Sequence, residues 1–169
     1  MIIARRMMAV TALIVSALLA ACGLRCTSPS SETFTVYQDA PKMSPLDLGA
    51  PGNSPGDMYY FSAPLHSSPG GPVIGEVFGS KTLIKTATDA LPNLEQRATL
   101  LIFDFGHRQD QIVVMGVRDY PPNAGEFDAG PPHVRAILGG TGKYIGARGQ
   151  LISNRNADGS YKQVFTLLK

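Results

Sequence analysis

Ala136-Ile137-Leu138-Gly139-Gly140-Thr141-Gly142-Lys143-Tyr144-Ile145-Gly146-Ala147-Arg148-Gly149 is the stretch on which the fold turns. Gly139-Gly140 and Gly142 permit a positive φ and a sharp turn into a strand. Gly146 and Gly149 let a neighbouring strand or a ligand approach closely. A phosphate-cradling glycine loop would need a helix behind it. Here the following residues, Gln150-Leu151-Ile152-Ser153, read as strand, which argues against a phosphate site.

Working outward, the chain alternates between apolar runs and turn signals. Thr33–Ala40, Asp57–Leu65, Val73–Thr86, Gln96–Gly106, Gln109–Arg118, His133–Leu138, Lys143–Ser153 and Tyr161–Leu168 are rich in Val, Ile, Phe, Tyr and Thr and read as strands. Asn156-Ala157-Asp158-Gly159 is a hairpin turn, and Gly106-His107-Arg108 closes another. Pro41–Gly56 carries four Pro and three Gly and reads as a long loop. Residues 87–95 have room for one short turn of helix, and no segment carries a helical stripe. Eight strands joined mostly by short turns predict an all-β fold, an eight-stranded antiparallel barrel or a sandwich. Several strands are apolar on both faces, as Leu100 to Phe105 shows, so a second subunit is one explanation of what covers the outside.

The Gly-Gly-Thr-Gly-Lys-Tyr…Ala-Arg-Gly run at 139–149 resembles the signature of dirigent proteins and the related segment of allene oxide cyclases. Gly56-Asp57-Met58-Tyr59-Tyr60-Phe61 with Pro64-Leu65 is similar to their second strand, and Gly75 and Gly79 match a paired-glycine strand after it. The resemblance covers residues 33–168. It implies an eight-stranded antiparallel barrel, often trimeric, with a mainly apolar cavity that binds a reactive intermediate without metal or organic cofactor. The glutamate, asparagine and cysteine that the cyclases use fall at Gln38, Ala40 and Lys81, so the plant cyclase reaction is not implied. The acid and arginine of dirigent proteins match Asp39 and Arg148, the catalytic candidates. An acid and a guanidinium in an apolar cup could handle protons or orient a phenol or carboxylate. The plainer alternatives are a solvated strand end for Asp39 and a structural ion pair for Arg148. Strand parity puts Arg148 with Gln150 and Ile152, and the expectation is that this face meets the cavity at the same end as Asp39. Tyr59, Phe103 and Tyr144 are candidate ligand-binding residues or, alternatively, barrel core.

The N-terminus carries a separate message. Arg5 and Arg6 precede an uncharged apolar run from Met7 to Ala21, the layout of a secretory signal. The run is too short for a spanning helix, which needs roughly 20 residues. Leu19-Ala20-Ala21-Cys22 resembles the lipobox of bacterial lipoproteins, in which the cysteine sulfur receives diacylglycerol and the chain is cut before it. The expected organisation is a signal over 1–21, a lipidated tether over 22–32 and a barrel over 33–169. Gly23, rather than Asp, after the cysteine leans toward the outer membrane where a cell has one. With Cys22 lipidated, Cys26 has no partner for a disulfide within the chain.

Removing residues 1–21 from 169 leaves 148, enough for one domain with a sizeable core. Lys plus Arg falls from 15 to 13 as Arg5 and Arg6 leave, matching the 13 Asp plus Glu. The mature chain is near neutral and has no basic run, which argues against nucleic-acid binding. His66, His107 and His133 lack metal-site spacing, so no metal is expected. No Gly-x-Ser-x-Gly nucleophile elbow is present. Three functions fit: a lipoprotein whose barrel binds a small apolar or aromatic molecule, a cofactor-free cyclase, isomerase or coupling-steering protein, and a structural envelope protein with a filled barrel.

Overall fold

The computed structural model describes residues 30–88 and 93–169. Cys22, its signal and most of the tether lie outside them, as do residues 89–92 of the expected helical turn. The strands are β1 (Ser31–Gln38), β2 (Ser44–Leu46), β3 (Met58–His66), β4 (Val73–Lys85), β5 (Glu95–Asp104), β6 (Gln111–Tyr120), β7 (His133–Gly140), β8 (Gly149–Arg155) and β9 (Tyr161–Leu168). Neighbours pair antiparallel in the order β1-β9-β8-β7-β6-β5-β4-β3, and Tyr37 and Gln38 of β1 pair with His66 and Leu65 of β3. That last pairing closes an eight-stranded barrel, as the sequence predicts. β2 is a short addition on the edge of β3, inside what the sequence presents as loop.

Alternation decides what faces inward. In β5, Glu95, Arg97, Thr99, Leu101 and Phe103 are buried, while the residues between them stay partly open. The inward side chains sort into two zones. One is apolar: Leu65, Val77, Phe103, Ile112, Val114, Leu151 and Phe165 pack into a continuous core. Phe165 stacks on Phe34 at 4.7 Å and meets Phe103 edge-on at 4.9 Å. Each such side chain contributes about 1.5–3 kcal/mol by leaving water. The other zone is polar and lies beneath the 121–132 loop.

The glycine-rich stretch folds differently from the expected strand over Lys143–Ser153. Gly142–Tyr144 is a 3₁₀ turn and β8 starts only at Gly149. Positive φ at Gly142 and Gly146 breaks the strand geometry, and the Lys143 N–H donates to Asp110 Oδ1 at 3.0 Å, tying the turn to the β5–β6 hairpin. At Gly149, φ is +142° and a β-carbon would collide with the Thr166 carbonyl oxygen, so only glycine lets β8 approach β9 there. The expected turn at 156–159 is present: the Gly159 N–H donates to Asn156 at 3.0 Å, and the Asn156 N–H to Ser160 at 2.8 Å.

The outside of the barrel is apolar in places. Tyr60, Met115, Val117, Val134 and Leu138 point outward and are exposed. An open groove of about 610 Å³ on this side is lined by Tyr60, Phe78, Leu100 and Ile102 among others.

Candidate functional site

The polar zone is assembled from charged and hydroxyl side chains at inward positions of six strands. Gln38 comes from β1, Lys81 from β4, Thr99 from β5, Arg135 from β7, Ser153 from β8, and Tyr161 and Gln163 from β9. All seven are buried. The 121–132 loop runs over them and lowers Glu126 and Phe127 into the mouth of the barrel. With the loop in place the remaining cavity is about 20 Å³, room for a water molecule.

Lys81 is the centre. Its side chain is 3% exposed, and its ammonium donates to the Gly125 carbonyl at 2.7 Å and to Glu126 Oε1 at 2.9 Å. The rings of Phe61 and Tyr120 lie 5.0 and 5.4 Å from it. Burial pulls the Lys81 ammonium down to about 8, against the Glu126 carboxylate, which holds it up; Arg135 and Arg97 add to the lowering. Phe61 can lie here because Gly79 faces it across the β3–β4 ladder.

Glu126 has a second contact, since the Tyr161 hydroxyl donates to its Oε2, and Arg155 Nε stands 4.0 Å away. Burial first, and then that carboxylate, push the Tyr161 phenol well above its usual range. Phe127 stacks on the His133 ring with centroids 3.6 Å apart and meets Tyr161 edge-on at 5.7 Å. Burial, with Arg118, Arg135 and Lys81 nearby, lowers His133 to about 4. Its Nδ1 accordingly accepts from Arg118 Nε at 2.9 Å, which requires the neutral ring.

Two further cations lie inside. Arg97 is 0% exposed and pairs with Glu95, also 0%, through its Nε at 2.7 Å. Glu95 in turn accepts from Asn53, and the Arg97 guanidinium lies over the Tyr59 ring at 4.8 Å. Arg135 is different. It is 4% exposed and reaches only hydroxyls, Ser153 Oγ at 3.3 Å and the Tyr120 hydroxyl at 3.4 Å. Among the described residues its Nε has no acceptor and no carboxylate lies within ion-pair distance of it.

The residues singled out from sequence fall elsewhere. Asp39 is exposed, and its carboxylate sits 3.2 Å from His66 Nε2. Arg148 is exposed outside the barrel, with its carbonyl accepting from the Leu168 N–H. The expected inward face was the wrong one: Leu151 and Ser153 point in, so Arg148, Gln150 and Ile152 point out. Nor do Asp39 and Arg148 share an end. Gln38 pairs with Tyr161 and Gly149 with Leu167, at opposite ends of β9. Six residues at ~3.3 Å each put these positions roughly 20 Å apart. Tyr59, Phe103 and Tyr144 are not brought together either. Phe103 is in the apolar core, Tyr144 packs half-buried on Phe34 and Phe105, and Tyr59 stands at the polar end with Arg97. Of the three positions that match cyclase residues, Gln38 and Lys81 line the polar cavity and Ala40 is exposed.

The backbone superposes on the pterocarpan synthase dirigent protein GePTS1 with a TM-score of 0.54, at 18% identity over 86% of this chain and 90% of that one. The fold is that of the dirigent and cyclase barrels. The Diels Alderase AbmU from Streptomyces koyangensis matches with a TM-score of 0.57, at 14% identity over 90% of this chain and 72% of that one. A pyocyanin demethylase matches with a TM-score of 0.55, at 25% identity over 82% of this chain and 98% of that one. No protein-family description and no curated protein matches the sequence.

Proposed function

We propose that this dirigent-like barrel binds a small aromatic or largely apolar molecule in its polar zone, beneath the 121–132 loop. The observation that carries the reading is Arg135, a buried guanidinium that reaches only hydroxyls, beside the buried Lys81 ammonium. Burying a charge costs several kcal/mol unless it is matched, and filling a barrel with apolar side chains would be cheaper. A cavity of about 20 Å³ admits no such ligand, so the loop must lift for binding. Similar barrels named for action on pyocyanin or for Diels–Alder chemistry support a small organic ligand. Native mass spectrometry of the protein purified from its own cells tests this. A retained small molecule that is lost in Lys81→Met and Arg135→Met supports the reading; a bare chain that also takes up no aromatic compound opposes it.

Cofactor-free acid–base catalysis is the second reading. Lys81, held near 8 and beside Glu126 and Tyr161, is placed to exchange a proton with a bound molecule at neutral pH. An isomerase or cyclase acting through Lys81 should lose turnover in Lys81→Met while Lys81→Arg still binds ligand.

Location rests on the sequence. The Leu19-Ala20-Ala21-Cys22 run supports a lipid on Cys22 and a tethered barrel in the cell envelope, on the outer membrane where there is one. Acyl chains gain ~0.8 kcal/mol per buried methylene, so two or three hold the chain firmly. Radiolabelled palmitate should enter the protein and be absent from Cys22→Ala, which should leave the membrane fraction. The outward Tyr60, Met115, Val117, Val134 and Leu138 support a second copy packing on the barrel, a trimer or dimer, which light scattering of the detergent-solubilised chain reads directly.

A further inference from the structure

Resting on the ligand-binding reading above, we infer that the ligand is an aromatic anion, and that Glu126 and Phe127 occupy its place while the site is empty. The 121–132 loop sends two adjacent side chains into the barrel mouth, one a carboxylate and one a ring. The carboxylate takes the groups that an anionic ligand would take: the Lys81 ammonium at 2.9 Å, the Tyr161 hydroxyl and, at 4.0 Å, Arg155. The ring takes a slot walled by His133, Tyr120 and Tyr161, at centroid distances of 3.6, 5.9 and 5.7 Å.

Charge points the same way. Lys81, Arg97, Arg135 and Arg155 bring four positive charges to this end of the interior, and Glu95, Glu126 and Asp57 bring three negative ones, Asp57 lying beside Arg97. Glu95 is committed to Arg97. Glu126 serves both Lys81 and Arg155. Arg135 is left with hydroxyls and an Nε without an acceptor, on the wall of the same cavity. An anion that displaces Glu126 keeps the Lys81 contact and can add Arg135. It gains a guanidinium that the loop does not use.

The loop is built to be displaced as a unit. Pro121-Pro122 and Pro131-Pro132 bracket it and fix φ at both ends. Between them, its polar ties to the barrel are the Gly125 and Glu126 contacts, a 3.4 Å bond from the Tyr59 hydroxyl to the Asn123 carbonyl, and a 3.4 Å bond from the Asn123 N–H to Glu95. Lifting it replaces an internal carboxylate and ring by external ones of the same chemistry.

The test is a fluorescence titration of the full detergent-solubilised chain with 2-naphthoate and with its neutral counterpart, 2-naphthalenemethanol. The expected result is preferential binding of naphthoate, at least tenfold tighter in Glu126→Gln, where the competing carboxylate is gone, and at least tenfold weaker in Arg135→Met. A Glu126 that merely braces the loop gives the opposite sign, with weaker or unchanged binding in Glu126→Gln. That result, or equal binding of the neutral alcohol, overturns the anion assignment and leaves the small-molecule reading standing. Failure of both compounds to bind any variant, Phe127→Ala included, overturns both.

Discussion

The Lys81 ammonium meets the Glu126 carboxylate at 2.9 Å, joining an inward position of β4 to a loop that starts 40 residues later. Three consequences for stability follow from this pair and its surroundings.

Lys81 titrates near 8 in the folded chain and at 10.5 when unfolded. Between these values the unfolded state binds the proton more firmly, so raising the pH through the window favours the native state. The gain is up to about 3 kcal/mol, at 1.36 kcal/mol per pH unit. The facing groups Glu126, Arg135, Arg97, Tyr120 and Tyr161 remain in Lys81→Met. Urea unfolding of both proteins at pH 7, 8.5 and 10 isolates the effect. The stability difference should move toward the unsubstituted protein with rising pH and be flat below about pH 7. A difference independent of pH contradicts the buried ammonium.

Glu95 and Arg97 form the other buried pair. Removing one partner, as Glu95→Gln or Arg97→Met, should cost about 3–5 kcal/mol because the remaining charge is stranded. Replacing both by apolar residues should cost much less than the sum of the single penalties. Additive losses in thermal unfolding would mean that the two do not depend on each other.

Gly79→Ala tests the packing under the site. The added methyl would collide with the Phe61 ring, which lines the Lys81 cavity and would have to move. Such overpacking typically costs 1–3 kcal/mol, and urea unfolding should read a loss of that order. A loss below about 0.5 kcal/mol would show that the ring has somewhere else to go.

Much of this architecture was legible in the sequence because it obeys a two-residue period punctuated by turns. Val73 to Lys85 or Gln111 to Tyr120 announce strands, and Asn156 to Gly159 announces the hairpin between the last two. β2 was not legible, since Ser44-Pro45-Leu46 has no strand composition and pairs only because β3 lies beside it. The site was harder. Its residues come from positions dozens apart, and barrel closure alone makes them neighbours. A signal existed nonetheless: Lys81, Arg97 and Arg135 share the parity of apolar residues on their own strands, Val77 and Leu83, Leu101 and Phe103, and Ile137. The positions that match cyclase residues, Gln38, Ala40 and Lys81, served only to set the plant cyclase reaction aside, although Gln38 and Lys81 line the polar cavity; the dirigent positions Asp39 and Arg148 lie on the surface. For Arg148 the parity was right and the choice of inner face was wrong. Glu126 and Phe127 could not be found this way, because a Pro-, Gly- and Asp-rich segment reads as a turn whatever it carries.

The ligand site proposed for this protein is the polar mouth of the barrel. The most direct measurement is a crystal structure of the full chain grown with 2-naphthoate. The expected result is the naphthalene ring in the slot now held by Phe127, the carboxylate on Lys81 and Arg135, and the 121–132 loop lifted. A closed loop, with Glu126 still on Lys81 and the naphthoate bound only in the outer groove at Tyr60 and Phe78, would contradict it.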